Sequence, residues 1–286
     1  MASTSQIGIK KEALRNNIEF VKSILDKETQ ISVVIKGNAY GHGIEVTLPV
    51  LEELGINHFS VYSSPEAIQA LNVKSKKTVL MIMGFICPKD YEIIIKNNIE
   101  FFVSDLSTLH FAIKTAKKTG KKAIIHIDIE TGMNRTGLTI KDLKKSISIL
   151  QKNEEYLIIK GLTSHFAGAE SIANNYRIKK QFSVFKKRAK LLSKAGINPE
   201  IKHIASSAAA INYPETRLDM VRTGILIYGY WPTKETFINY IHRKKDKTDP
   251  LKRALFWQSE VIIIKTVPEG EFIGYGLSFQ AQYKMK

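Results

Sequence analysis

One lysine stands at the end of an apolar run, where its amine can do chemistry. The run ISVVI occupies residues 31–35, and Lys36 follows it directly, ahead of a glycine-rich segment that contains Tyr40. Such a run predicts a core strand of a parallel sheet, and parallel sheets place functional groups where strands end. Partial burial disfavours an ammonium group and lowers its pKa from about 10.4, which produces a nucleophilic amine.

Lys36 is therefore a candidate for a Schiff base with pyridoxal phosphate (PLP), a cofactor that needs such an amine. Tyr40 lies four residues further on, near enough for its hydroxyl to meet a bound phosphate. The alternative is a lysine that reaches solvent from a strand end beside a loop tyrosine. No metal site is predicted.

Polar side chains also follow later apolar runs. They are Asp128, Glu130 and Arg135 after one run, His165 after the next, then Ser206 and Ser207, and finally Arg222 and Gly224. Because the carboxyl ends of barrel strands form one face, we expect these residues to gather there. Taken singly, His165 has the alternative of a hydrogen-bonded structural histidine, and Arg222 that of a partner for Asp219.

Taken together, these segments resemble the alanine racemase family. IKGNAYGHG at 35–43 is similar to the family's PLP-lysine signature, with Gly37 where alanine is usual, and the later segments follow in the same order at similar spacing. The resemblance covers essentially the whole chain. It implies a PLP-binding barrel followed by a mostly β domain, working as a head-to-tail homodimer. GEFIGYGLSF at 270–279 resembles the start of that second domain.

The resemblance also implies two bases on opposite faces of the substrate. Lys36 would hold PLP and act as the base on one face. Tyr275 stands at the position of the family's catalytic tyrosine and would serve the other face, assisted by His165 in the cofactor site. In a head-to-tail dimer, each active site would be shared, with Tyr275 of one subunit facing Lys36 of the other.

The remaining implied contacts hold the cofactor and the substrate. The cofactor phosphate would be bound by Tyr40, Ser207, Gly224 and Ile225, partly through backbone N–H groups. Arg222 would donate to the pyridine nitrogen and, being permanently charged, would keep that nitrogen unprotonated. Arg135 would lie beside the phenolic oxygen of PLP and the substrate carboxylate.

Two residues depart from the family pattern. Asp128 stands where the family often has a carbamylated lysine, and it would supply a negative charge that orients Arg135. Ser206 stands where asparagine is usual. Neither departure removes a base.

The elements that must position these residues alternate between strands and helices. Strands are predicted at 31–36, 58–63, 78–83, 101–104, 123–129, 158–166, 202–205 and within 220–228, separated by helical patterns. Two of the predicted helices have an N-cap residue, Ser64 and Asp105. Eight such units in about 230 residues predict an α/β fold, a closed (β/α)8 TIM-type barrel. The alternative is an open doubly wound sheet, but no phosphate-type glycine loop follows the first strand.

The predicted domains are a PLP-binding barrel at 1–232, a linker at 233–253, and a second β domain that begins at 254–286. Strand-like stretches at 261–267 and 272–279 are too few for an independent domain. We therefore expect the chain to stop inside its second domain, as an apparent C-terminal truncation.

Composition places the chain among ordinary globular proteins. It has 286 residues, of which 44% are hydrophobic, and one cysteine, Cys87, which fits a reducing cytoplasm. We predict neither a signal peptide nor a membrane span. The net charge of +16 arises from clusters spread along helical stretches, so exposed helix faces are favoured over a nucleic-acid surface.

The predicted function is a cytoplasmic PLP-dependent alanine racemase that interconverts L- and D-alanine and supplies D-alanine for peptidoglycan. A serine or broader-specificity racemase is an alternative, because pocket shape separates small side chains by only about 1–3 kcal/mol per methylene. A PLP-binding barrel without catalysis is another, although the presence of Tyr275 argues against it. A basic nucleic-acid binder is the third.

Overall fold

The computed structural model describes residues 4–286, which fall into two units. Ile9–Ala254 forms the barrel unit, and residues 4–8 together with Leu255–Lys286 form the second unit. None of the helices within residues 4–286 has both the length and the apolar character needed to traverse a bilayer.

The described residues contain twelve strands and ten α-helices. The strands are β1 (Ser5–Ile9), β2 (Gln30–Val34), β3 (His58–Val61), β4 (Val79–Ile82), β5 (Glu100–Val103), β6 (Ala123–Asp128), β7 (Leu157–Thr163), β8 (Ile201–His203), β9 (Met220–Thr223), β10 (Leu255–Ser259), β11 (Phe272–Ile273) and β12 (Phe279–Gln280). The helices are α1 (Lys11–Ser23), α2 (Lys36–Tyr40), α3 (Ile44–Glu53), α4 (Ser64–Leu71), α5 (Tyr91–Lys96), α6 (Leu106–Thr119), α7 (Ile140–Lys152), α8 (Asn175–Lys194), α9 (Ser207–Asn212) and α10 (Lys234–His242).

Strands β2 to β9 form one parallel sheet that closes on itself. Their order is β8-β7-β6-β5-β4-β3-β2-β9. The two edge strands meet where Ser206 forms a bridge with Arg222, whose N–H donates to the Ala205 carbonyl at 3.0 Å. Eight parallel strands with intervening helices make a (β/α)8 barrel, so the predicted barrel is confirmed.

Helix boundaries follow local capping chemistry. The Asp105 carboxylate accepts the Thr108 N–H at the start of α6, as the sequence predicts, and Thr139 caps α7 in the same way. Helix α4 begins at Ser64 with Ser63 before it, so the predicted cap was one residue too late. Several predicted strands also end earlier than expected, because their apolar residues continue into the loops above the barrel.

The segment 233–253 differs from the predicted linker. It contains α10, which begins after Thr233, whose side chain accepts the Thr236 N–H. The ring of Tyr240 on this helix packs against Phe20 and Trp231, with ring centroids 5.3 Å from each. These ring contacts hold the helix against the barrel unit, which extends to Ala254.

The second unit consists of short paired strands. Strand β1 pairs with β10, and β11 pairs antiparallel with β12. The predicted strand at 261–267 is not formed, although its residues Val261–Ile264 are strongly apolar. They are 70–82% exposed, and within residues 4–286 no neighbouring strand supplies the ladder of hydrogen bonds that would define a strand there.

A glycine makes room for a buried histidine in the barrel wall. Gly161 on strand β7 pairs with His126 on strand β6, next to a shift in the register of the two strands. A Cβ on Gly161 would lie 2.0 Å from Nδ1 of the His126 ring, which is fully buried. The ring cannot move away without displacing its own hydrogen-bond partners, so the position accepts only glycine.

We therefore expect Gly161→Ala to lower the free energy of unfolding by about 1–3 kcal/mol, the usual cost of overpacking. Urea denaturation followed by circular dichroism measures the effect. Gly276→Ala is the control, because a Cβ there meets open space. Equal stability of the two variants would contradict the close contact.

Candidate active site

A cavity of about 750 Å³ opens above the carboxyl-terminal ends of the barrel strands. Every residue that lines it belongs to the barrel unit. The lining contains all eight barrel residues predicted for the site, namely Lys36, Tyr40, Arg135, His165, Ser207, Arg222, Gly224 and Ile225. Closure of the barrel brings these distant parts of the sequence to one face.

The sequence predicted that strand β2 ends at Lys36. In the structure, Lys36 instead begins a left-handed turn. The strand ends at Val34, and residues 37–40 have φ angles between 51° and 61°. Glycine adopts this region freely, whereas a residue with a Cβ is destabilised there by about 1–2 kcal/mol. Such strain persists only where the surroundings impose it, and it is concentrated at functional sites.

The turn is held by a carboxylate that the sequence did not reveal. Glu66 accepts the Gly37 N–H at 2.7 Å through one oxygen and the Tyr62 N–H at 2.8 Å through the other. The side chain of Asn38 accepts the Ile44 N–H at 2.8 Å. A glutamate in the first turn of a helix ordinarily complements the helix dipole, so nothing in the sequence marks Glu66 as a clamp.

The environment of Lys36 favours its neutral amine. Burial lowers the pKa of Lys36, the positive charges of Arg135 and Arg222 lower it further, and Glu66 acts in the opposite direction. The side chain remains reachable from the solvent in the cavity. Lys36 is therefore a better nucleophile at neutral pH than an ordinary surface lysine.

Hydroxyl and N–H groups gather at one end of the cavity. A Cβ on Gly224 would lie 2.7 Å from the Tyr40 hydroxyl, so the glycine permits this approach. The Ser207 hydroxyl accepts the Gly224 N–H at 3.2 Å and lies 3.1 Å from the Thr223 hydroxyl. Ile225 lines the cavity beside them. A cluster of neutral donors of this kind suits a phosphate group.

Arg222 is buried in the barrel wall and held by its two terminal nitrogens. One donates to Nδ1 of His203 at 2.5 Å and to Thr163 Oγ1 at 3.0 Å. The other donates to the Ser164 carbonyl at 2.8 Å and approaches Nδ1 of His165 at 3.4 Å. None of the hydrogen bonds that Arg222 makes with residues 4–286 uses Nε, which leaves that N–H available to a molecule in the cavity.

The alternative pairing of Arg222 with Asp219 is not formed. Asp219 accepts the Lys202 N–H at 2.6 Å instead, and no ion pair joins it to Arg222 in the described part of the chain. Burial lowers the pKa of Arg222 to about 10, with Asp128 opposing the shift. The guanidinium therefore keeps its charge at neutral pH.

His165 is neutral. Burial, followed by the charges of Arg222, Arg135 and Lys36, lowers the pKa of His165 to about 3. Its Nδ1 is the atom nearest to Arg222, so this nitrogen accepts and the other carries the proton. His165 can orient groups in the cavity but cannot supply a positive charge there.

Arg135 lies on a loop whose backbone is held by the side chain of Glu130. The Glu130 carboxylate accepts the N–H groups of Gly132, Met133 and Asn134, the last two at 2.7 and 2.8 Å. The Arg135 side chain itself has no hydrogen-bond partner among residues 4–286, and it is exposed. Its guanidinium is thus free to bind an anion in the cavity.

Asp128 does not form the ion pair with Arg135 that the sequence suggested. Burial raises the pKa of Asp128 to about 6, despite a hydrogen bond from Thr136. Across the described residues no ion pair joins the two side chains. A carboxyl group with so high a pKa is partly protonated near neutral pH, so its negative charge is incomplete.

Tyr275 is separate from the barrel residues in the chain. It belongs to the second unit, where it follows β11, and its side chain is fully exposed. Its side chain therefore does not pack inside its own hairpin.

A (β/α)8 barrel with a lysine just beyond a strand end and a cation-rich cavity has the layout of a barrel enzyme. The family model for the alanine racemase N-terminal domain matches residues 9–232. The chain belongs to the alanine racemase family.

Individual relatives agree with this assignment. Alanine racemase 1 of Caldanaerobacter subterraneus subsp. tengcongensis is 34% identical over 280 residues, covering 98% of this chain and 69% of that protein. The alanine racemase of Methanococcus maripaludis is 33% identical, covering 96% of this chain and 71% of that protein. The solved alanine racemase of Clostridium difficile 630 superposes with a TM-score of 0.84 at 30% identity, covering 99% of this chain and 72% of that one.

The lowered pKa of Lys36 predicts selective labelling. In a limited reaction with acetic anhydride at pH 8, Lys36 should be modified faster than the exposed lysines, because more of its amine is neutral. Arg135→Gln should raise the pKa of Lys36 and slow the labelling, whereas Glu66→Gln should lower the pKa and speed it, each by roughly twofold to threefold. Peptide mass spectrometry measures the rates. Changes of the same sign in both variants would contradict the electrostatic explanation.

Proposed function

We propose that the protein is a PLP-dependent alanine racemase that interconverts L- and D-alanine. The observation that carries the proposal is the pairing, in one cavity, of a lysine with a lowered pKa and a buried arginine whose Nε makes no hydrogen bond with residues 4–286. Membership of the alanine racemase family, with relatives named for this reaction, supports the same substrate.

The residues of the cavity fit the cofactor. Lys36 provides the amine, Arg222 provides one N–H for the ring nitrogen, and the hydroxyls of Tyr40 and Ser207 with the turn at Gly224 and Ile225 provide the phosphate site. When bound, PLP supplies an electrophilic carbonyl for an amino group and an electron-withdrawing ring that acidifies the adjacent Cα–H. The close approach of Tyr40 to Gly224, which a Cβ would block, supports a cradle built for a ligand.

Two bases move the proton. In one direction, Nζ of Lys36 takes the Cα proton from one face of the substrate and the phenol of Tyr275 donates its own proton to the opposite face. In the reverse direction the two groups exchange roles, so each turnover inverts Cα. Arg222 stays charged and donates a hydrogen bond without giving up its proton, which leaves the ring nitrogen unprotonated.

Arg135 binds the substrate carboxylate. Its exposed side chain makes no hydrogen bond with residues 4–286, and a guanidinium matches a carboxylate with two parallel hydrogen bonds. His165, being neutral, positions donors and acceptors near Arg222 without adding charge.

The active unit is a homodimer with shared sites. Tyr275 is fully exposed in its own chain, which supports a role toward a partner subunit rather than in its hairpin. The enzyme works in the cytoplasm, consistent with a lone cysteine, and provides D-alanine for peptidoglycan.

Reduction should place PLP on Lys36. The protein incubated with PLP and treated with borohydride should carry a stable adduct on the peptide that contains Lys36, and should convert L-alanine to D-alanine, with serine tested in parallel. Lys36→Ala should lose both the adduct and at least about 1,000-fold of the rate. Lys89→Ala, which removes another exposed lysine, is the control. An adduct on another residue would reject Lys36 as the site of PLP attachment. Faster turnover of serine than of alanine would show that serine is the preferred substrate.

Complementation tests the shared site. Lys36→Ala and Tyr275→Phe should each be nearly inactive alone. In a mixed dimer with shared sites, one site receives both defects and the other receives neither, so co-refolding should restore activity toward about a quarter of wild type. Activity that stays near zero in the mixture would show that both residues act within one subunit.

A further inference from the structure

The barrel interior contains a row of buried ionisable side chains that the proposed mechanism does not use. Glu100, His126 and His203 are at most 5% exposed, as is Arg222. Barrel interiors are ordinarily filled by branched apolar side chains. Burying charged groups costs several kcal/mol per ion unless each is paired and hydrogen-bonded, so the row needs a physical reason.

The four side chains are joined end to end. Arg222 lies 2.5 Å from Nδ1 of His203, Nε2 of His203 lies 2.9 Å from Nδ1 of His126, and Nε2 of His126 lies 2.7 Å from the Glu100 carboxylate. They come from strands β9, β8, β6 and β5. We call this row the Arg222–Glu100 chain.

Only one arrangement of protons satisfies all three contacts. A guanidinium can only donate, so His203 accepts at Nδ1 and carries its proton on Nε2. His126 must then accept at Nδ1 and carry its proton on Nε2, from which it donates to Glu100. The two ends of the Arg222–Glu100 chain, a fixed donor and a carboxylate, therefore set both tautomers.

The groups around the Arg222–Glu100 chain reinforce this direction. Nε2 of His58 lies 3.4 Å from the same Glu100 oxygen, while its Nδ1 lies 2.9 Å from the Ser32 hydroxyl. Burial alone would raise the pKa of Glu100, but the hydrogen bonds from His126 and His58 outweigh it and lower the pKa to about 2. Burial lowers the pKa values of His126 and His203, which keeps both rings neutral.

The barrel wall is adapted to the Arg222–Glu100 chain. Gly161 leaves space for the His126 ring, and the register of β6 shifts beside it. The Phe102 ring lies 5.8 Å from the guanidinium carbon of Arg222 and a similar distance from His203. No carboxylate forms an ion pair with Arg222 among residues 4–286. Asp128 opposes the lowering of the pKa of Arg222, and Glu100 is joined to Arg222 through two imidazoles.

We propose that Glu100, His126 and His203 are positioning residues that hold Arg222 with its Nε–H directed into the cavity and weaken that N–H as a donor. Each hydrogen bond in a chain polarises the next, so the charge of Glu100 makes His203 a stronger acceptor and draws positive charge away from Nε. This inference rests on the proposed function, in which Nε meets the ring nitrogen of the cofactor. A weaker donor there limits how strongly the ring withdraws electrons, which favours racemisation over transamination.

Histidine tautomers give the first test, on the protein without cofactor. In ¹⁵N-histidine-labelled protein, long-range ¹H–¹⁵N spectra distinguish protonated from bare ring nitrogens, with signals assigned by single His→Asn variants. His126 and His203 should both be neutral with the proton on Nε2 from pH 6 to pH 9. An imidazolium or an Nδ1–H form at either position would overturn the proposal. The measurement does not depend on whether Lys36 carries PLP, so it separates a failure of this proposal from a failure of the proposed function.

Glu100→Gln gives the second test, because it keeps the shape and an acceptor oxygen but removes the charge. With PLP bound, side transamination of alanine, in which the amino group passes to the cofactor and pyruvate leaves, should rise about tenfold relative to racemisation, the scale of outer-shell effects. The KM for alanine should stay near wild type.

The matched control is Glu52→Gln, which changes a carboxylate that accepts hydrogen bonds from Ser75 and Thr78 outside the Arg222–Glu100 chain. It should leave the ratio of the two reactions unchanged. A folded Glu100→Gln protein with the wild-type ratio would reject the influence on Arg222. If Glu100→Gln does not fold, the tautomer measurement on the wild type decides.

Discussion

The structure depends on the burial of one guanidinium. Arg222 sits on strand β9, where the barrel closes, and a buried guanidinium is stable only if its N–H groups find acceptors. Those acceptors come from strands β7 and β8 and the loop after β7. The orientation of Arg222 therefore depends on the register in which the closing strands pair. Because both terminal nitrogens are taken by the protein, the Nε–H is what remains for a ligand.

Positive charge is the second organising feature of the cavity. Burial and the charges of Arg135 and Arg222 lower the pKa of Lys36. Burial and the charges of Arg222, Arg135 and Lys36 keep His165 neutral. Anions are the natural ligands of such a place, because a phosphate or carboxylate relieves the mutual repulsion. The arrangement also holds Lys36 in the form that reacts, so binding and reactivity have the same electrostatic origin.

Backbone strain is concentrated beside the reactive amine. The left-handed turn at residues 37–40 is unfavourable for Ala39 and Tyr40, and it is stabilised by Glu66, by the side chain of Asn38 and by the burial of Ala39. This turn places the Tyr40 hydroxyl beside Gly224, which lies in the turn after the closing strand β9. A relaxed turn would point Tyr40 elsewhere and open the anion site.

Local patterns in the sequence determined the eight barrel strands, the cap at Asp105 and the set of strand-end residues, because apolar periodicity and side-chain chemistry are readable without partners. Only the tertiary structure decided that Arg222 binds His203 and not Asp219, that Asp128 lacks an ion pair with Arg135, and that 233–253 contains a helix packed on the barrel. Glu66, Glu100 and His126 could not have been assigned from sequence. Periodicity says which residues face a core, but which of them meet across a closed barrel is set by strand register and closure, which are properties of the whole sheet.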